Sequence, residues 1–202
     1  MTNLDFARAQ MALSLAFHIV FAAVGIGMPL LMAVAEGLHL RTGDPVCLDL
    51  ARRWARGTAV LFAVGAVSGT VLSFELGLLW PRFMALAGGV IGMPFSLEGF
   101  AFFTEAIFLG MYLYGWGRVS PRAHWVAGLV VAASGMLSGI FVVAANAWMN
   151  APAGFRIEAG QVVDVFCLFR VFKGARGAAG PAMSGARPGA AGRVSGDLGG
   201  GR

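Results

Sequence analysis

Four ionisable side chains stand inside long apolar stretches of the sequence. They are His18, Glu75, Glu98 and Glu105. An ionisable residue inside a membrane-spanning helix is energetically costly, so it usually faces the interior of a helical bundle and marks a functional position. These four residues are therefore the first candidates for chemistry in this chain.

His18 lies seven residues into an apolar run and has Phe17, Val20 and Phe21 as neighbours. A neutral imidazole is a common ligand of haem iron, and apolar aromatic neighbours suit a macrocycle. A histidine that hydrogen-bonds across helices as structural glue would have the same sequence signature. Spacing alone leaves both interpretations open.

Glu98 and Glu105 are seven residues apart, so in an α-helix they share nearly one azimuth about two turns apart. Two carboxyls stacked inside a bundle can hold and release protons, which predicts a proton relay. Ser138 and Asn146 could extend that path. Alternatively, both acids are protonated and serve only as buried hydrogen-bond donors. We expect Glu75, near the end of its apolar stretch, to be an interfacial residue.

Arg8 precedes His18 by ten residues and lies just outside the apolar run. An arginine at this place can bind a carboxylate or a haem propionate, or it can simply mark the membrane boundary. His39 and His124 fall in or beside loops, and the sequence assigns them no role.

The elements that position these residues are predicted to be membrane-spanning helices. The 202 residues are 58% hydrophobic and 12% charged, whereas a soluble domain carries about 25% charged residues. About 20 apolar residues cross a bilayer core as a helix. The sequence therefore predicts an all-α transmembrane helical bundle with four spans, at residues 11–35, 57–80, 84–117 and 125–149.

Small residues recur at every fourth position of the second span, which allows another helix to approach closely in lipid. We expect this stripe to serve packing, together with a similar pair in the fourth span. The residues are Gly65, Gly69, Ser73 and Gly77, followed by Gly135 and Gly139.

The positive charge is concentrated near the C-terminus. Residues 1–160 hold nine basic and eight acidic side chains, whereas residues 161–202 hold six and two. The body has no basic face interleaved with aromatic residues, so nucleic-acid binding is not expected. Arginines are most frequent between spans one and two and between spans three and four. Because cytoplasmic loops carry the excess of Lys and Arg, both ends of the bundle should lie outside.

Residues 166–202 differ in composition from everything before them. Of the 32 residues from 171 to 202, 17 are Gly or Ala, with scattered Arg and no apolar period. Such a composition predicts a disordered tail. The abrupt change after residue 165 suggests translation in a wrong reading frame, or a truncated copy of a longer gene.

Several segments together resemble subunit I of the cytochrome bd family of quinol oxidases, and most of all its cyanide-insensitive branch. The resemblance covers about residues 1–165. It is carried by the segments Arg8–His18, Gly69–Gly77 with Trp80, Met93–Glu105, Tyr114–Trp116 and Ala145–Asn150.

This resemblance implies a terminal oxidase of the bacterial inner membrane that takes electrons from quinol and reduces dioxygen to water. It implies an oxidase subunit II as partner. The lipid surrounding follows from the composition, and in a bacterial inner membrane the arginine distribution predicts a periplasmic N-terminus. His18 would be the axial ligand of haem iron, in haem d or a high-spin haem b, with two b-type haems in the full-length family. Glu98, Glu105 and Ser138 would belong to the proton path and haem environment, and Arg8 would lie near the haem propionates.

Departures from the family pattern also carry expectations. Gly117 stands where the family usually has Asp. The ligands of the low-spin b haem, a Glu ligand of the second high-spin haem and the quinol-oxidising loop have no counterpart in residues 166–202. We therefore expect the N-terminal four-helix portion of subunit I, which alone would not sustain turnover. The alternatives are a truncated non-catalytic membrane fragment that binds no cofactor, and a small proton-conducting protein using Glu98 and Glu105.

Overall fold

The computed structural model describes residues 2–152, 155–158 and 161–164. Within this part of the chain, four helices and two short strands follow one another. They are α1 (Asn3–Thr42), α2 (Pro45–Leu79), α3 (Pro81–Tyr114), α4 (Pro121–Asn150), β1 (Phe155–Glu158) and β2 (Gln161–Asp164). Each of these helices is long and apolar enough to cross a membrane. The prediction of an all-α bundle with four spans is confirmed.

Local sequence signals fix the ends of the helices. The side chain of Thr2 accepts a hydrogen bond from the backbone N–H of Asp5, and the carboxylate of Asp5 accepts one from the N–H of Thr2. This reciprocal capping box starts α1. Gly43, at φ 75°, ends it in the left-handed conformation that glycine adopts without strain. The other three helices each begin with a proline in the first turn: Pro45, Pro81 and Pro121.

Three of the helices, α1, α2 and α4, are longer than their predicted spans, whereas α3 ends at Tyr114, three residues before the predicted limit at Gly117. α1 extends seven residues beyond the predicted limit at Ala35, and α2 begins twelve residues before Gly57. Hydrophobicity marks only the part of a helix that lipid surrounds, whereas the helix itself continues until a cap or a proline ends it.

The helices pack as an antiparallel bundle in which α1 contacts α2 and α4, and α3 contacts α4. We call the end that holds the start of α1 the amino end, and the end that holds residues 43–44 and 115–120 the loop end. A buried apolar cluster lies near each. The amino-end cluster is Ala87, Val90, Ile91 and Trp148, and the loop-end cluster is Met32, Ala55 and Tyr112.

Large apolar side chains cover the outside of the bundle. Leu13, Leu78 and Phe100 are each at least 73% exposed. In water such a surface would be unstable, but lipid tails are as apolar as leucine and solvate it. The distribution therefore agrees with a multi-pass membrane protein.

The predicted small-residue stripe is a packing surface at only some of its positions. At Gly69, an added Cβ atom would lie 3.1 Å from His18 Cε1. At Gly65 and Gly77 nothing lies within 4 Å of such an atom, so the prediction of close helix approach is wrong there. A spacing of four places these small residues on one face of α2. It does not show at which of them a neighbouring helix comes close.

A short hairpin that the sequence analysis did not anticipate follows α4. β1 and β2 pair antiparallel, with Phe155 opposite Asp164 and Glu158 opposite Gln161. β2 contacts α3. The tail predicted to be disordered, residues 166–202, lies outside the described residues.

Candidate functional site

His18 lies half-buried on the face of α1 that packs against α2. Its Nδ1 atom is 2.9 Å from the hydroxyl oxygen of Ser68. That hydroxyl donates its single hydrogen to the backbone carbonyl of Val64, 2.8 Å away. With the hydroxyl hydrogen on that carbonyl, Nδ1–H of His18 donates to Ser68 and the lone pair of the imidazole lies on Nε2. A histidine held in this way presents Nε2 as a metal ligand.

The imidazole of His18 lies directly against the backbone of Gly69. A Cβ atom at position 69 would be 3.1 Å from Cε1 and 3.8 Å from both ring nitrogens. Any larger residue would push the ring away from its present position. The sequence analysis treated Gly69 only as a packing residue and did not single out Ser68. The sequence signal that could have identified these two residues was a serine next to a glycine in an apolar helix.

The donor set around His18 suits a haem better than a multi-ligand metal ion. In the part of the chain that the structure describes, no three His, Cys, Asp or Glu side chains come together. A structural zinc ion needs four protein ligands, whereas haem iron needs one axial nitrogen from this segment because the porphyrin supplies the rest. One available imidazole nitrogen beside an open glycine fits that requirement.

The two predicted carboxyl residues of α3, Glu98 and Glu105, face α4. Together with Gly135 and Ser138 of α4 they form what we call the carboxyl seam. Ser138 Oγ donates a 3.3 Å hydrogen bond to Glu98 Oε1. Glu105 is only 7% exposed and packs against Gly135, where a Cβ atom would lie 3.2 Å from both carboxyl oxygens. Both carboxyls thus lie on the side of α3 that faces α4. The structure therefore brings these predicted site residues together.

Two other predicted polar residues do not join this seam. Asn146 is exposed, and its side-chain oxygen accepts a hydrogen bond from Asn150 on its own helix. Arg8 is exposed near the start of α1 and has no hydrogen bond or ion pair within the described residues. Asn146 therefore has no hydrogen bond to the carboxyl seam within the described residues, and its place in the proton path stays a prediction. Arg8 is free to meet an anionic group.

Glu75 lies four residues before the end of α2 and is buried between helices, a burial that its prediction as an interfacial residue did not include. It is 7% exposed and faces α1. Gln10 Nε2 donates to Glu75 Oε1 over 3.1 Å, and Ser14 Oγ donates to the same oxygen over 2.8 Å. This burial depends on the rotation of α2 about its axis, which the position of Glu75 in the sequence does not determine.

A buried cluster at the loop end surrounds His124, to which the sequence assigned no role. Its Nδ1 is 2.7 Å from Glu36 Oε1, and its Nε2 is 2.9 Å from the backbone oxygen of Tyr112. The rings of Tyr112 and Trp116 lie 4.2 and 3.9 Å from the imidazole centroid. Both ring nitrogens are thus occupied by protein atoms. His124 ties α1, α3 and α4 together, whereas His18 keeps one nitrogen available.

Fold and site together define a multi-pass helical membrane protein whose ionisable residues lie along the contacts between helices. The chain belongs to the family described as cytochrome bd terminal oxidase subunit I, whose sequence profile matches residues 6–174.

Individual relatives agree with this assignment. The chain is 38% identical to the putative cytochrome bd menaquinol oxidase subunit I of Bacillus subtilis, over 82% of this chain and 37% of that protein. It is 31% identical to the cytochrome bd-II ubiquinol oxidase subunit 1 of Escherichia coli, over 77% of this chain and 30% of that protein. It is also similar to the solved bd oxidase from Geobacillus thermodenitrificans, with a TM-score of 0.79 and 42% identity over 84% of this chain. The chain spans between about a third and two fifths of the length of these relatives.

Proposed function

We propose that this chain is the N-terminal four-helix part of a subunit I that binds haem through His18 and helps to transfer electrons from quinol to dioxygen. The observation that carries the proposal is the hydrogen bonding of His18, whose Nδ1 is held by Ser68 while Nε2 remains available. Relatives named as menaquinol and ubiquinol oxidases support quinol as the electron donor.

In this proposal, His18 holds haem iron by Nε2, in haem d or in a high-spin haem b. When bound, the haem supplies an iron atom that changes oxidation state and a place where dioxygen is reduced. Ser68 fixes the tautomer and the orientation of the imidazole. Phe17 and Phe21, with ring centroids 4.7 Å apart, supply apolar surface beside it. Arg8 would bind haem propionates, because a guanidinium pairs with carboxylates in a bidentate geometry.

The carboxyl seam would deliver protons, which dioxygen reduction consumes. Glu105 would receive a proton and pass it to Glu98. Seven residues along a helix rise by about 10.5 Å, which is too far for direct transfer, so water would carry the proton between them. Ser138 would act as a positioning residue, since its hydroxyl donates to Glu98 and keeps that carboxyl turned toward α4.

The family also supports a wider setting for the whole protein. We infer an oxidase subunit II as partner, two b-type haems, surrounding membrane lipid and a bacterial inner membrane with the N-terminus on the periplasmic side. Residues 1–165 would form the haem-binding unit, and residues 166–202 a separate tail.

Quinol-dependent oxygen uptake tests the proposed activity. The chain spans only 30–40% of its relatives, so it is joined to the remaining part of a related subunit I. This full-length protein is co-expressed with an oxidase subunit II in bacteria that lack their own quinol oxidases, and isolated membranes are assayed. We expect uptake that falls by about 100-fold in Glu105→Gln, the scale of a lost acid–base group, with unchanged haem content. Thr104→Val, at the adjacent exposed position, is the control and should keep the rate.

The other outcomes identify the alternatives. Membranes that contain the chain with haem but show no oxygen uptake would contradict the oxidase activity. Chain without haem would support the cofactor-free fragment. Proton flux without haem that Glu105→Gln abolishes would support the proton-conducting protein.

A further inference from the structure

Glu75 is a buried carboxyl that the proposed function does not use. It lies in what we call the α1–α2 seam, formed by Gln10, Ser14, His18, Ser68 and Glu75. The three α1 members recur at every fourth position and therefore face α2 together. The seam is separate from the carboxyl seam between α3 and α4.

The two oxygens of Glu75 have different surroundings. Oε1 accepts two hydrogen bonds, from Gln10 and Ser14, which hold the carboxyl in one orientation. Oε2 is buried and has no hydrogen-bond partner among the described residues. A bare anionic oxygen in such surroundings is costly, whereas a proton on Oε2 removes the charge without disturbing the bonds to Oε1. The geometry therefore suits a carboxyl that gains and loses a proton in place.

Glu75 lies close to His18 along the seam without touching it. Ser14, its hydrogen-bond donor, is four residues from His18 on α1, about one helical turn. Ser68, the partner of His18, is seven residues from Glu75 on α2, about two turns. The side chain of Gln10 is exposed, so the carboxyl has a polar route to the aqueous phase at the amino end.

We propose that Glu75 is a redox-linked proton-binding residue: its carboxylate takes up one proton when one electron reaches haem iron held by His18. The inference rests on the proposed function, in which quinol supplies the electron and is oxidised. The proton comes from water at the amino end and binds Oε2, and it is released there when the electron leaves. An added negative charge in a low-dielectric bundle favours protonation of a nearby carboxylate.

Other charged groups at the amino end are few in the described chain. Besides His18, the helices hold Asp5, Arg8 and Arg82 there, and the hairpin after α4 adds Arg156, Glu158 and Asp164. The hydrogen bonds that reach Glu75 within these residues come from uncharged side chains, Gln10 and Ser14. Glu75 is thus a buried acid that shares the α1–α2 seam with His18 and has uncharged hydrogen-bond donors.

Redox-difference infrared spectroscopy of the assembled, haem-loaded oxidase tests this role. We expect a carboxyl C=O band in the reduced-minus-oxidised spectrum that shifts in D₂O and is lost in Glu75→Gln. Ser14→Ala, which removes one donor to Oε1, should shift the band without abolishing it. The potential of the high-spin haem should fall with rising pH in the wild type, and Glu75→Gln should at least halve that slope.

Each outcome decides the question. An unchanged band and slope in haem-loaded Glu75→Gln would overturn the inference and leave the proposed function intact. If Glu75→Gln does not assemble, Glu75→Asp replaces it and must keep the slope with a displaced band; an undisplaced band would overturn the inference. If His18→Ala retains the high-spin haem, or the wild type binds none, the proposed function fails and the inference falls with it.

Discussion

At the residue scale, the His18 site depends on the absence of a side chain at Gly69. A Cβ atom there would be 3.1 Å from His18 Cε1, and a valine would have to displace the imidazole. Overpacking of this kind costs about 1–3 kcal/mol, and 1.4 kcal/mol is about tenfold in affinity. We predict that Gly69→Val lowers the high-spin haem per purified protein about tenfold, measured by absorbance.

Gly65→Val is the matched control, one turn earlier on the same helix. Nothing lies within 4 Å of an added Cβ atom at Gly65, so the haem content should stay at the wild-type level. A Gly69→Val protein with full haem content and an unaltered spectrum would show that the contact between glycine and imidazole is unimportant.

Gly135 plays a comparable part for Glu105. An added Cβ atom would lie 3.2 Å from both carboxyl oxygens, so Gly135→Ala should turn the carboxyl away from its present position. Because proton transfer is sensitive to such displacement, we expect quinol-driven oxygen uptake to fall severalfold with haem content unchanged. Gly92→Ala, with nothing within 4 Å, should leave the rate alone; equal rates in both variants would contradict this role.

At the scale of helices, the buried contact between Glu36 and His124 holds α1 against α4. In Glu36→Ala, Nδ1 of His124 is left buried without a partner. An unsatisfied buried polar group costs about 1–3 kcal/mol. We therefore expect a lower midpoint temperature of unfolding for Glu36→Ala, measured in detergent by circular dichroism.

An exposed ion pair on α2 provides the comparison. Arg53 Nε is 2.8 Å from Asp49 Oδ2, with side chains 72% and 57% exposed. Exposed pairs contribute under about 1 kcal/mol, so Asp49→Ala should change the midpoint little. Equal effects of Asp49→Ala and Glu36→Ala would mean that the buried pair does not hold the helices together.

The helices themselves could be predicted from the sequence, because a membrane span needs only a long apolar run. The pairing of side chains between helices could not. His18 meets Ser68 across 50 residues of sequence, and Glu36 meets His124 across 88. Such contacts depend on the rotation of each helix about its axis, which an apolar run surrounded by lipid leaves undetermined.

The candidate site, like the fold, could be predicted within single helices but not across the contacts between them. The seven-residue spacing of Glu98 and Glu105 was enough to place them on one face of α3. Ser138 was offered as a polar residue of the fourth span, and the family resemblance then favoured it for the proton path. The burial of Glu75 could not be predicted, because its two donors lie on another helix, at Gln10 and Ser14. Spacing within one helix was therefore informative, whereas contacts between helices required the structure.

At the scale of the whole molecule, the arginine distribution predicts how the bundle sits in its membrane. The loop end carries Arg41, Arg52, Arg53, Arg56, Arg118 and Arg122, whereas the amino end carries Arg8, Arg82 and Arg156. By the positive-inside rule, the loop end faces the cytoplasm. Alkaline phosphatase fused after Asn150 should be active, and the same fusion after Arg118 should be inactive. The reverse pattern would invert the orientation.

The central claim is that His18 holds haem iron. The most direct measurement is the reduced-minus-oxidised absorbance spectrum of the purified chain with its subunit II, compared between wild type, His18→Ala and His39→Ala. His39 bonds the backbone oxygen of Asp44 beside the loop and is the matched histidine control. We predict a high-spin haem signal that is present in wild type and His39→Ala and absent in His18→Ala. A signal that persists in His18→Ala would contradict the assignment.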